Sequence, residues 1–246
     1  MELLLAASII VLGGLVKGLN GFGYALVSTP LLAVFMPAQE AVALMIIPLI
    51  ACNLELAAET DTEELKNCLD SFSSFLIFLT AGVTIGMLAI SLIPSRALEV
   101  SVGLLALSFA TSRIPALEPH FGKIRSFCFR AWEPVIGFFS GIVYGASNVG
   151  VLIVAYLKSR DLGRDKFVGV LAVAILGISV YRILLAHVTG IYTGTDMIVL
   201  SLILGLPALL SVKIGEMLSQ RLPETLLERS SVLLIAAIGA KLLLPF

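Results

Sequence analysis

The residues best suited to chemistry lie in a glycine-rich segment near the start of the chain. Residues 14–23 read GLVKGLNGFG, so Lys17 and Asn20 stand among four glycines. A dinucleotide-binding loop would need G-x-G-x-x-G between a strand and a helix, whereas the last three glycines here follow G-x-x-G-x-G between two long apolar runs. An ammonium group, an amide and unhindered backbone N–H groups are instead typical of a site that binds an anion.

A few other polar residues interrupt the apolar runs. They are Asn53, Glu55, Ser147, Asn148 and Arg182, and Gly150 lies two residues after Asn148. Ionisable groups inside a membrane are costly, so each is a functional hypothesis by default. Lys17 would attract the anion and Glu55 would carry a coupled proton. The alternatives are a Lys17 side chain that reaches the membrane interface and interfacial anchoring of Glu55 and Arg182 near helix ends.

The composition identifies the solvent around these residues. The 246 residues are 59% hydrophobic and 13% charged, and their mean hydropathy is +1.05. A soluble domain has roughly 45–50% apolar and about 25% charged residues, so the sequence predicts an all-α polytopic membrane protein. A net charge of −1 argues against a nucleic-acid partner. Three scattered cysteines do not suit a disulfide framework or a metal site, and we expect no cofactor.

Two halves of the chain resemble each other. A shift of 127 positions superimposes three glycines of each half, namely Gly14, Gly18 and Gly23 on Gly141, Gly145 and Gly150. Between the halves lies a stretch that carries proline and charges. We therefore predict a first membrane repeat over 1–112, a cytoplasmic linker over 113–130 and a second membrane repeat over 131–246.

The basic residues predict how the halves are oriented. Twelve of the sixteen lysines and arginines fall in the linkers 59–70, 112–130, 158–166 and 213–229, which the positive-inside rule assigns to the cytoplasm. The second glycine segment would then enter and leave the membrane on one side as a bent hairpin. The first would enter from the opposite side, which gives an inverted repeat of a hairpin plus three crossings in each half, as in many secondary transporters.

The glycines have two interpretations. They can break each hairpin helix, so that the N-terminus of the following segment points inward and favours an anion. They can also allow close helix packing of the small-xxx-small kind, which G-x-x-x-G at 14–18 and at 141–145 suits. The extra Gly21, Gly23 and nearby asparagines favour the broken helix.

These motifs also resemble a known family. Residues 18–23, GLNGFG, followed by PLL at 30–32, resemble the first glycine motif of the TauE/SafE sulfite exporter family. The pattern G-x-x-x-G-x-x-x-G at 137–145, with Gly150 and YL at 156–157, resembles the second. The resemblance implies a bacterial or archaeal membrane protein linked to the export of sulfite or the movement of organosulfur anions. It also implies a multi-pass protein of a prokaryotic plasma membrane.

The sequence therefore predicts a secondary transporter of small oxyanions that works by alternating access. We expect the substrate at Lys17, Asn20, Gly21, Phe22, Gly23, Asn53, Ser147, Asn148, Gly150 and Arg182, with Glu55 as the coupling residue. The expected partners are a small anion, the lipid bilayer and a coupled proton, and a homodimer stays open. An anion channel and a permease for an unrelated solute are alternatives. An enzyme is disfavoured because the chain has no H-E-x-x-H motif and only two histidines.

Overall fold

The computed structural model describes residues 3–58, 66, 70–112, 132–160, 162–192, 195–221 and 224–244, and every regular element within them is helical. The helices are α1 (Leu3–Asn20), α2 (Tyr24–Ala33), α3 (Ala38–Leu44), α4 (Ile46–Ala58), α5 (Ser73–Ala89), α6 (Ser95–Ser112), α7 (Glu133–Ser147), α8 (Val151–Lys158), α9 (Arg164–Val188), α10 (Thr195–Ser219) and α11 (Glu224–Leu243). A short 3₁₀ turn, Ile90–Leu92, extends α5. The predicted linker 113–130 lies outside the described residues, so the division into domains stays a prediction.

Five helical stretches in the described part of the chain are long and apolar enough to cross a membrane. They are Leu3–Asn20, Ala38–Ala58, Ser73–Leu92, Lys166–Val188 and Asp196–Ser219. Large apolar side chains such as Leu4, Ile77 and Leu206 are about two-thirds exposed or more on these stretches, as lipid-facing side chains are. Helices satisfy their own backbone groups, which hydrocarbon demands. The prediction of an all-helical, multi-pass membrane protein is confirmed.

Helix boundaries recur at the 127-residue interval that relates the glycines of the two halves. Helix α1 ends at Asn20 and α7 ends at Ser147, while α2 begins at Tyr24 and α8 at Val151. Both pairs are 127 residues apart. Each half therefore contains a long helix, a short break and a short helix before its longer crossings.

Glycines join the long helix of each half to a helix of the other half. A β-carbon at Gly14 or Gly18 of α1 would collide with Ser211 or with the Val212 carbonyl of α10. In the same way, Gly141 of α7 lies against the Leu79 carbonyl of α5. The packing interpretation thus holds for the G-x-x-x-G glycines. Helix α4 packs against α9, and α6 packs against α11.

The second span, Ala38–Ala58, is interrupted between α3 and α4. Pro48 has no N–H that could donate to the carbonyl of Leu44. Helix α3 ends at Leu44 and α4 begins at Ile46, so Met45 lies between them. The hydroxyl of Ser201 donates to the Leu44 oxygen instead, at 2.7 Å. The amide of Asn148 reaches the Val42 oxygen at 3.0 Å, so side chains of other helices satisfy the carbonyls at the interruption.

Candidate functional site

The two breaks share one backbone feature, a residue at positive φ one position after the long helix ends. Between α1 and α2, Gly21 and Gly23 have φ angles of 77° and 102°, which side chains other than glycine rarely adopt. Asn148 occupies the position equivalent to Gly21 and has a φ of 61°, since asparagine tolerates this region best among the larger residues. Its N–H donates to the Tyr144 oxygen at 2.9 Å, which ends α7.

Side chains also close the last turn before each break. The Asn20 amide donates to the Val16 oxygen at 2.9 Å. The Ser147 hydroxyl donates to the equivalent oxygen, that of Val143, at 2.6 Å. Both predicted ligands thus support the helix ends.

A cavity of about 40 Å³ lies between the two breaks. A single water molecule needs about 10–15 Å³ by the same measure, so the space exceeds that of one water. Residues of both breaks and of helices α4 and α9 line it: Lys17, Gly21, Phe22, Gly23, Tyr24, Ala25, Leu26, Leu49, Tyr144, Asn148, Gly150, Val154, Leu171 and Ile175.

Lys17 brings a positive charge to this cavity. Its side chain is only 4% exposed, so it does not extend to an interface. The ammonium group donates to Oδ1 of Asn53, whose own amide is fixed on the Leu49 oxygen at 2.6 Å. An ammonium carries three donors, and Asn53 accepts one of them.

Arg182 forms a second buried cationic cluster on the far side of Asn148. Its guanidinium donates to Oδ1 of Asn148, to the Gly145 oxygen at 3.3 Å and to Met87 Sδ at 3.4 Å. It also lies 5.2 Å from the ring centre of Tyr144. A cation that binds carbonyls in the last turn of α7 stabilises that helix end.

Neither cation has an acidic partner in the described part of the chain. The ion pairs found there join Arg96 with Glu99, Arg160 with Glu133 and Lys213 with Glu55. A buried charge without a counter-ion is unfavourable. The site therefore favours a negatively charged ligand.

Helix N-termini add to this preference. The first turn of α2 offers the N–H groups of Tyr24, Ala25 and Leu26, which the helix itself cannot satisfy, and all three residues line the cavity. The equivalent helix α8 begins beside Gly150, which also lines it. The positive end of α2 therefore meets this space, and that of α8 begins next to it.

Phe22 forms an aromatic wall of the cavity. Its ring lies 5.6 Å from that of Phe109 and 6.4 Å from that of Phe167, both edge to face. The ammonium of Lys158 lies 5.2 Å from the Phe22 ring centre. Phe22 is itself partly exposed.

A comparison with protein families identifies the family of the chain. The family model described as "Sulfite exporter TauE/SafE" matches residues 6–242. The chain belongs to the TauE/SafE family. Neither a curated protein nor a solved structure matches it. Membership identifies a membrane protein of a sulfite or anion exporter family, which is a family of transporters.

In this TauE/SafE protein the predicted site residues occupy four kinds of position. Six of them line the cavity: Lys17, Gly21, Phe22, Gly23, Asn148 and Gly150. Asn53 accepts a hydrogen bond from Lys17 and Arg182 donates one to Asn148, so both contact lining residues without lining the cavity themselves. Asn20 and Ser147 bond to carbonyls at the helix ends. Glu55 pairs with Lys213 at 2.7 Å, away from the lining. Their roles in binding and coupling stay predictions.

Two tyrosines of the TauE/SafE cavity, Tyr24 and Tyr144, are not among the residues predicted from the sequence. Tyr24 is the first residue after the first break, and Tyr144 is the position equivalent to Lys17 in the second half. The 127-residue shift could have drawn attention to both, because it aligns each with a residue at the other break.

Proposed function

We propose that the protein is a secondary transporter of small oxyanions, sulfite or a related organosulfur anion, and that it exports them by alternating access. The observation that carries the proposal is a cavity lined by the buried Lys17 and the first turn of α2, with no acidic partner for the cation among the described residues. An inside-negative potential favours the exit of an anion by roughly 2.3 kcal/mol per charge per 100 mV.

The direct test is uptake of labelled sulfite into proteoliposomes, with taurine, sulfoacetate and sulfate as competitors. Saturable uptake that a competitor blocks supports the proposal. Absence of flux for every one of these anions contradicts it. An anion channel would use the same helix ends without alternation, and it would show neither saturation nor accelerated exchange when unlabelled anion is placed on the opposite side.

We further propose that the two halves are inverted with respect to the membrane, in a prokaryotic plasma membrane. Equivalent helix boundaries in the two halves are 127 residues apart, and the long helix of each half packs against a helix of the other half. Both observations support a twofold relation. The hairpin interpretation of the second half draws support from the ion pair between Glu133 at the start of α7 and Arg160 after α8. Cysteines introduced at Ser126 and Arg164 should then be labelled from one side.

A further inference from the structure

The hydroxyl group of Tyr24 stands out among the polar groups of the cavity. The residue is 2% exposed and lines the cavity. Its oxygen has no hydrogen-bond partner among the described residues. By contrast, the hydroxyl of Tyr144, in the same lining, lies 3.4 Å from Ser179 Oγ.

A buried hydroxyl without a partner costs free energy, and native proteins rarely leave one so. Ser140 and Tyr192 share this property but do not line the cavity. Tyr24 combines burial, an unused donor and a position in the first turn of α2, in the same cavity lining as Lys17. The missing partner is therefore expected to arrive with the ligand.

We propose that Tyr24 is a substrate-binding residue whose hydroxyl donates a hydrogen bond to an anionic oxygen. This inference rests on the function proposed above and names a ligand of the same site. The Tyr24 phenol, the Lys17 ammonium and the backbone N–H groups in the first turn of α2 supply hydrogen-bond donors of three kinds. Such a set suits an anion with several acceptor oxygens, and the hydrogen bond from Tyr24 contributes to its selection.

The experiment compares the Tyr24→Phe variant with the Tyr181→Phe variant in the purified full-length chain. Tyr181 is a matched control, because its hydroxyl lies 2.9 Å from Thr84 Oγ1 and its residue does not line the cavity. The measurements are the affinity for sodium sulfite, sodium sulfate and sulfoacetate by calorimetry and the melting temperature without anion. Tyr24→Phe should lower the affinity about tenfold while the anion-free melting temperature stays equal or rises.

Tyr181→Phe should leave the affinity within about twofold and lower the melting temperature, because it loses a formed hydrogen bond. Unchanged affinity in Tyr24→Phe overturns the inference, as does a lower anion-free melting temperature, which would reveal a structural partner of the hydroxyl. A wild-type protein that binds none of the three anions overturns the proposed function and this inference with it. Wild-type binding combined with unchanged binding in Tyr24→Phe overturns the role of Tyr24 alone.

Discussion

Lys17 and Arg182 are both buried cations, but their surroundings give them different tasks. Arg182 donates hydrogen bonds to Asn148, Gly145 and Met87. These contacts stabilise the second break. Lys17 donates to the side chain of Asn53, and it lines the cavity. The lysine is therefore the better candidate to meet an anion directly.

We expect Lys17→Met to reduce anion affinity by about tenfold or more, because a hydrogen bond to a charged group contributes about 1.5–3 kcal/mol. Lys241→Met is the control, since that lysine is exposed on α11. Calorimetric titration with sulfite measures both variants. Equal affinities in Lys17→Met and the wild type would leave the buried lysine with a purely structural role.

Glu55 is the proposed coupling residue, and its position makes a separate prediction. One carboxylate oxygen accepts from Lys213, while the other is buried and lacks a partner among the described residues. Glu55→Gln should abolish flux driven by a pH gradient but keep anion exchange at equal pH, since the binding cavity is untouched. Tracer uptake in proteoliposomes distinguishes the two modes, and gradient-driven uptake that survives in Glu55→Gln removes the proton role.

At the scale of helices, the glycines divide into two classes. Those at four-residue spacing allow backbone contact between α1 and α10 and between α5 and α7. Gly21 and Gly23, which have positive φ, permit the turn that separates α1 from α2. The same sequence motif thus serves packing in its first part and the site in its second.

Gly141→Ala tests the packing class. Its β-carbon would overlap the Leu79 carbonyl, a backbone atom that cannot swing away, so we expect a destabilisation of about 1–3 kcal/mol. Gly177→Ala on α9 is the matched control, because nothing lies within 4 Å of its β-carbon position. Thermal unfolding in detergent should show a lower midpoint for Gly141→Ala and an unchanged or higher one for Gly177→Ala.

Much of the helical layout could be predicted from sequence, because uncharged runs and glycines mark spans and breaks directly. The interruption near Met45 was harder to predict. Pro48 signals it, but the hydroxyl that satisfies the Leu44 carbonyl comes from Ser201, over 150 residues away. Tyr24 was missed for a similar reason, since an unsatisfied hydroxyl is a property of packing rather than of composition.

At the scale of the whole molecule, the inverted repeat makes a sharp prediction about sidedness. Pro37 and Arg164 are equivalent under the 127-residue shift and precede or begin equivalent spans. In a background without the native cysteines, Pro37→Cys and Arg164→Cys should react with an impermeant maleimide from opposite sides of the membrane. Labelling from the same side would indicate a parallel repeat and contradict the proposed orientation.

The packing also indicates which parts would move together. Helix α1 is fixed to α10 and α7 to α5 by contacts that include backbone atoms, and such contacts tolerate little sliding. The expected rigid bodies are therefore pairs drawn from both halves, rather than each half by itself. The cavity lies where the two breaks of these pairs meet.

The pairing of α1 with α10 has a consequence for biosynthesis. The ribosome must add about 175 residues between the end of α1 and the start of α10, which takes about 9–35 s at roughly 5–20 residues per second. Throughout this interval the glycine face of α1 lies in the bilayer without its final neighbour. A nascent chain of this kind depends on lipids or an insertion chaperone to shield its first helix, and a ribosome stalled before α10 would leave that helix open to proteolytic surveillance.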